Sequence, residues 1–328
     1  MKAFAHRGGT RMLLAGLAGA VLTAGCTLPT PKGDQPVSKV AATTAEAEVV
    51  YERYREVRQS ALELLDEQPL TAIESGPVLA IDSGALQVAR RLQTDVRGDD
   101  SQDLQIIDVL TPRLREYPLW YTVIARDGAR DLTKVQIFAR PTSTSTWQLV
   151  ASPETLTSTR LPEFATDDTG ALETVDPGSA DGLVMSPSQV MAAYAEALGD
   201  PGSPANEAIT EDSFVQQMRQ IVAAQSAIRG VTFSQRWSSR PVEYALRTED
   251  GGAFVFATLQ RDDRYVIAEG TVVDWPEGSE QEAFLAGSLS SSATLRYFHQ
   301  VLMYVPPQDG DPPFVLGQYG GVVQAEGS

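Results

Sequence analysis

The chain has 328 residues, a formal net charge of −17, 42% hydrophobic and 21% charged residues. At roughly 100–200 residues per domain it is long enough for two cores of ordinary size, and its composition excludes collagen-like, coiled-coil and wholly disordered chains. The acid excess opposes binding of nucleic acid or anionic headgroups through the folded surface, because neutralising phosphates needs clustered Lys and Arg.

Residues 1–25 carry Lys2, Arg7 and Arg11, no acid, and then the apolar run Met12 to Leu22, the layout of an export signal. That run is too short for a membrane span, which needs about 20 residues. It ends at Thr23-Ala24-Gly25-Cys26, and Cys26 is the only cysteine, so no disulfide forms within the chain. The setting resembles the bacterial lipobox, whose cysteine receives diacylglycerol, although Thr23 stands three residues before Cys26 and Leu22 four before it. The resemblance implies a signal peptide over 1–25, a lipidated Cys26, and membrane attachment by lipid at the extracytoplasmic face of the cell. Pro29, Pro31, Gly33 and Pro36 then favour an extended, flexible tether over residues 26–42.

From Thr43 the positions Val50, Tyr54, Val57, Ala61, Leu64 and Leu65 step by three and four, which predicts a long amphipathic helix. Pro69 and Gly76-Pro77 read as breaks, and Leu86, Val88, Ala89 and Leu92 as a shorter helix. Three runs rich in β-branched and aromatic residues, Leu119 to Ala125, Leu132 to Ala139 and Thr146 to Ala151, predict an antiparallel meander. A first α+β domain is thus expected over 43–162. Residues 163–182, with Asp167, Asp168, Gly170, Pro177 and Gly178, read as an acidic linker. Its acids are either a solvated face or a patch for a cation or cationic partner, and they lack the spacing of a calcium loop.

A second domain is expected over 183–328. Ser186-Pro187-Ser188-Gln189 opens a helix with Ser at the cap, Pro in the first position and Gln three after the cap. A second helix is predicted over about 211–226 from Phe214, Met218, Ile221 and Val222 along one face. Strands follow at Val231 to Trp237, Val242 to Thr248, Ala253 to Arg261, Tyr265 to Val273, Thr294 to Val305 and Phe314 to Gln324, with turns at Glu249–Gly252 and Arg261–Arg264.

Helices first and strands after, twice, predict an α+β fold of two tandem domains, each with N-terminal helices packed on a curved antiparallel sheet. The element order resembles the NTF2-like and cystatin-like architectures. Glu74-Ser75-Gly76-Pro77, Pro118-Leu119-Trp120 and Val305-Pro306-Pro307 before a Gly-rich strand resemble a family of actinobacterial lipoproteins of unknown function. The likeness extends over most of residues 45–325; it implies the lipid anchor and the two-part layout, and no activity.

Behind Cys26 there is one histidine, His299. A strand's period of two puts it on one face with Leu295, Tyr297, Val301, Met303 and Val305, so it belongs to the core or to a cavity. Ser290, Ser291 and Ser292 are candidate nucleophiles for it, but no G-x-S-x-G elbow surrounds them. A single histidine argues against zinc, and neither a metal nor another cofactor is expected. The aromatic residues are either plain core or the lining of a cup for an apolar or glycan ligand. Trp237, next to Ser238, Ser239 and Arg240, is the one placed to reach a cavity mouth, and Trp237, Tyr297 and His299 are the candidate lining. Two functions follow: a non-catalytic envelope module that binds a protein partner or small molecule, or an envelope hydrolase using a carboxylate pair or His299 in a cup-shaped cavity. A polar pocket holding two carboxyls about 5–10 Å apart would favour the hydrolase.

Overall fold

The computed structural model describes residues 38–96 and 104–328. The export signal, Cys26 and residues 27–37 of the expected tether lie outside them. The tether gives way to packed chain by Lys39: β1 (Lys39–Val40) pairs with Arg113 and Leu114, and Ala41 and Ala42 behind it are buried. Their methyl groups are small enough to pack beneath the first helix, where Ala42 joins Ala47, Tyr51 and Tyr121.

α1 (Thr44–Leu64) starts where Thr43 accepts a hydrogen bond from the Glu46 amide. Its buried residues Ala47, Tyr51, Tyr54, Arg58 and Ala61 keep the three-four spacing. After a 3-10 turn over Gln68–Ala72 comes α2 (Gly76–Leu92). Gly76-Pro77 therefore begins a helix instead of interrupting the chain, because the first turn needs no amide from proline. Six strands follow: β2 (Leu104–Leu110), β3 (Arg113–Leu114), β4 (Leu119–Asp127), β5 (Leu132–Arg140), β6 (Gln148–Ala151) and β7 (Glu154–Leu156).

The second half opens with α3 (Pro187–Gly199), whose Ser186–Gln189 capping box is complete. Then come α4 (Ala205–Ala208), α5 (Ser213–Ser226), β8 (Val231–Ser239), β9 (Tyr244–Arg247) and β10 (Ala253–Ile267). α6 (Glu280–Phe284), β11 (Ser292–Val305) and β12 (Phe314–Gly327) complete the chain. The turn expected at Arg261–Arg264 is instead the middle of β10, paired with Tyr297 to Thr294 of β11. Its four charges alternate between faces: Arg261 pairs with Asp263 at 3.2 Å on one side, and Asp262 accepts from Arg296 at 2.7 Å on the other.

The class is α+β, with one large antiparallel sheet in the order β2-β4-β5-β7-β12-β11-β10-β8; β6 joins β5, and β9 joins β10. Each half keeps its helices-then-strands order, and the sheet runs through both. The seam is narrow. Gln318 of β12 pairs with Glu154 of β7, and the Thr155 hydroxyl donates to the Leu316 carbonyl at 2.6 Å. Gln300 of β11 spans the same junction, accepting from the Ser152 amide at 2.8 Å and donating to the Val150 carbonyl at 2.9 Å.

Helices pack on one face of the sheet. There α1 and α2 meet Tyr121, Val123 and Phe138, while α3 and α5 meet Val255, Leu259, Val301 and Met303. The opposite face gathers Trp120, Ile137, Phe254, Phe256 and Leu302, and is covered by Leu161, Phe164 and Leu172. Residues 163–182 are therefore laid along the sheet. The Ala165 amide bonds the Arg247 carbonyl at 3.0 Å and the Val175 amide bonds Ala245 at 3.0 Å. Apolar Phe164, Ala171, Leu172 and Val175 anchor the segment between its exposed acids.

Candidate functional site

A cavity of about 450 Å³ lies on the helix face over β10 and β11, walled by α5 and α6. The strand period aims Tyr297 and His299 from β11, and Arg261, Asp263 and Tyr265 from β10, toward this face. Register does the rest, since Trp237, Arg261 and Tyr297 form one row across three strands. Tyr297 and His299 line the cavity. Their rings lie 6.2 Å apart and nearly parallel, and the Trp237 ring is 5.2 Å from His299. Trp237 stands behind the imidazole rather than at a mouth, because Phe214 of α5 packs edge-on against it at 5.9 Å.

A polar chain runs beneath these rings. The Trp237 Nε1–H donates to Gln235 Oε1 at 2.7 Å, and Gln235 Nε2 donates to Asp263 Oδ1 at 2.9 Å. Asp263 in turn holds Arg261, whose guanidinium carbon sits 3.6 Å from the centre of the Tyr297 ring. Burial raises the Asp263 pKa, opposed by Arg261 and the Gln235 bond. Burial first, and the Arg261 charge second, lower the His299 pKa to about 3, so the imidazole is neutral near pH 7. Burial likewise moves the Tyr297 phenol up to about 12.

Three residues of the lining each carry a buried polar atom that has no hydrogen-bond partner within the protein and is closed off from the cavity: His299 Nε2, Arg261 Nε and Gln318 Oε1. Leaving such groups desolvated and unpaired costs ~1–3 kcal/mol each. Gly320 lies opposite His299 in the register, and a Cβ there would press against His299 Nδ1. The missing side chain lets β12 pass close to the imidazole edge. Sequence reasoning missed Arg261, Asp263, Gln318 and α6. Ser279 followed by Glu282 was a usable signal for α6, because the Ser279 hydroxyl caps it by accepting the Glu282 amide.

A second cavity, of about 370 Å³, lies between α2 and β12 and shares Glu280, Gln281 and Tyr319 with the first. Lys134 and Arg130 at its wall both pair with Glu154, at 3.2 and 3.3 Å. Its α2 side is apolar, formed by Ile81, Ala85, Val88 and Ala89.

Of the groups named for hydrolysis, Ser292 and His299 are apart. Ser292 is seven residues from His299 on one extended strand, a separation of ~23 Å at about 3.3 Å per residue. Glu74 and Asp82 do share a cation, Arg58, with Glu74 at 2.7 Å. Both are buried under α1 and α2, and Tyr319 also donates to Asp82. Burial, then the Asp82 charge, hold the Glu74 carboxyl well above the usual carboxylate range. Among the described residues no three His, Cys, Asp or Glu side chains are grouped to hold a metal ion, and no helix is long and apolar enough to cross a membrane.

Comparison with known proteins adds three findings. The model of a domain of unknown function, DUF8094, matches residues 38–327. An uncharacterized lipoprotein of Streptomyces coelicolor is 25% identical over 291 residues, covering 87% of this chain and 86% of that protein. A chain from a structural study of dehydratase substrate selection in the borrelidin and fluvirucin polyketide synthases aligns over 66% of this chain and 70% of its own, at 10% identity and a TM-score of 0.15.

Proposed function

The chain belongs to the DUF8094 family, whose match spans residues 38–327, and from that premise we propose a lipid-anchored cell-envelope protein that binds a small ligand without transforming it. Anchoring is supported by the lipobox-like Thr23-Ala24-Gly25-Cys26 and by the Streptomyces relative's description as a lipoprotein. Two or more acyl chains on Cys26, at about 0.8 kcal/mol per buried methylene, supply stable attachment. Cys26→Ser should therefore leave the membrane fraction. Retention of that variant through a high-salt wash, which strips electrostatic attachment and spares acyl chains, would refute the anchor.

The observation that carries binding is the 450 Å³ cavity itself, whose lining joins the rings of Phe214, Tyr297 and His299 to the charged pair Arg261–Asp263. A volume in the small-molecule range of about 300–1,000 Å³ with a few convergent polar groups is the usual form of a ligand site. The only histidine behind Cys26 is also at that cavity, so isotope-labelled histidine gives one imidazole signal that reports it. Adding a low-molecular-mass extract of the envelope should shift the signal. An imidazole unmoved at saturating extract sinks the binding reading.

A further inference from the structure

A third cavity, of about 210 Å³, is built from α1, the end of β5 and the loop into β6, and it shares no lining residue with the other two. Its cations are Arg53 and Arg140 and its lining contains no carboxylate, whereas each of the other two holds acids beside its cations. Clustered Arg, the condition for holding phosphate that the acid excess of the chain works against, is met here. The Arg140 guanidinium lies over the Trp147 ring at 4.7 Å. Trp147 is fixed in turn by its Nε1–H bond to Glu46 at 2.9 Å and by Tyr121, edge-on at 4.8 Å. The stack thereby holds one fork in place before any ligand arrives. Arg140 reaches Glu46 Oε1 only at 3.9 Å, the same oxygen that accepts from Trp147. The Arg53 guanidinium pairs with no other described residue.

The polar groups of this cavity ask for an acceptor. Both guanidiniums only donate. Thr146, whose hydroxyl bonds to no other described residue, can donate as well, while Ser145 is already tied to Thr142 at 2.8 Å. Val50, Ile73 and Phe138 add apolar wall, and low dielectric strengthens each charged bond beside it. The donors come from three elements: Arg53 from α1, Arg140 from β5 and Thr146 from the loop. A carboxylate offers two oxygens in one plane, whereas a phosphate spreads its oxygens around a tetrahedron and can take all three donors at once. Two guanidiniums less the one carboxylate beside them, Glu46, leave a positive charge for it to neutralise. At 210 Å³, below the about 300–1,000 Å³ of ordinary small-molecule sites, the cavity admits the phosphate and little of what bears it. We infer that Arg53 and Arg140 hold the phosphate group of a ligand, at a site separate from the cavity over β10 and β11. A free phosphate ester and a phospholipid headgroup share that chemistry.

Phosphorus NMR on the full chain in a phosphate-free detergent tests this with inorganic phosphate, glycerol 3-phosphate and short-chain phosphatidylglycerol as probes and acetate as competitor. At least one phosphorus resonance should shift saturably, and Arg53→Gln and Arg140→Gln should each weaken that binding by about tenfold or more. Arg160→Gln, an equal loss of charge beside Leu161 on the opposite face, should leave it unchanged. Arg53 is exposed, so its variant keeps the test alive should Arg140→Gln release Trp147 and fail to fold. Binding of inorganic phosphate or glycerol 3-phosphate alone assigns the ligand to a free ester, and binding of phosphatidylglycerol alone to a lipid headgroup; either one, or both, supports the class. Acetate that displaces the probe at equal concentration overturns the phosphate class. Phosphate binding indifferent to both Arg variants, or binding that moves the His299 imidazole signal, overturns the placement. Silence from every phosphate probe overturns the site itself and leaves the cavity over β10 and β11 untouched.

Discussion

His299 and Glu74 carry opposite proton preferences into the folded state. The imidazole's folded pKa, about 3, lies below its ordinary 6.5, so the unfolded chain takes up a proton first as pH falls. Stability present above pH 6.5 is lost as pH drops toward 3. Glu74 is raised, so its folded form keeps the proton, and its contribution is lost as pH rises through the ordinary carboxylate range and beyond. The two slopes oppose each other between pH 5 and 6.5. The stability difference between wild type and His299→Phe isolates the imidazole, and urea unfolding should show it shrink by about 2 kcal/mol from pH 7 to pH 5. A difference independent of pH would contradict the buried neutral ring. Removing a cation shared by two buried carboxyls is harsher: Arg58→Met should lose ~3–5 kcal/mol in the same assay. Wild-type stability in that variant would show that Glu74 and Asp82 need no counterion. The face of His299 was legible from alternation along β11, whereas Arg261 and Asp263 were not. Four consecutive charges look like a turn unless each finds a partner two residues away or on the next strand.

Helix α2 shows how close packing sets an element's position. A Cβ on Gly84 would overlap the Val322 carbonyl of β12 and approach the Phe284 ring. Backbone on one side and a helix on the other leave nothing free to yield. Gly84→Ala should push α2 from the sheet at a cost of ~1–3 kcal/mol, read as a lower urea midpoint with unchanged slope. An unaltered midpoint would mean that the helix has room there. Local signals served the sequence reading well where they were complete. Ser186, Pro187 and Gln189 announced α3 because a capping box involves only neighbours. Gly76-Pro77 misled, since the same pair suits a break and a helix start. β2 was missed because Asp108 sits at a register shift, where alternation fails. The continuity of β10 depends on pairing with β11 some thirty residues away, which no short window contains.

At the scale of the whole molecule, Ser38–Ser328 is one compact unit, and its two halves meet where β12 enters beside β7. Unfolding in urea, followed by Trp fluorescence and by far-UV circular dichroism, should give one coincident transition, because losing either half strips partners from the other. Two separated transitions would show that each half stands alone. The helices-then-strands repeat was legible in the sequence; the shared sheet was not, because Glu154 and Gln318 lie 164 positions apart. That separation also dictates an order of events. The first half can form β2, β4 and β5 early, but it holds an unpaired strand edge until the last strand has been made. Long-range closure of this kind is slow, and an open edge invites pairing with other chains. The fourteen residues of β12, Phe314–Gly327, therefore close the sheet between its two halves, and a chain cut short before them should aggregate instead of folding as a smaller version of the protein.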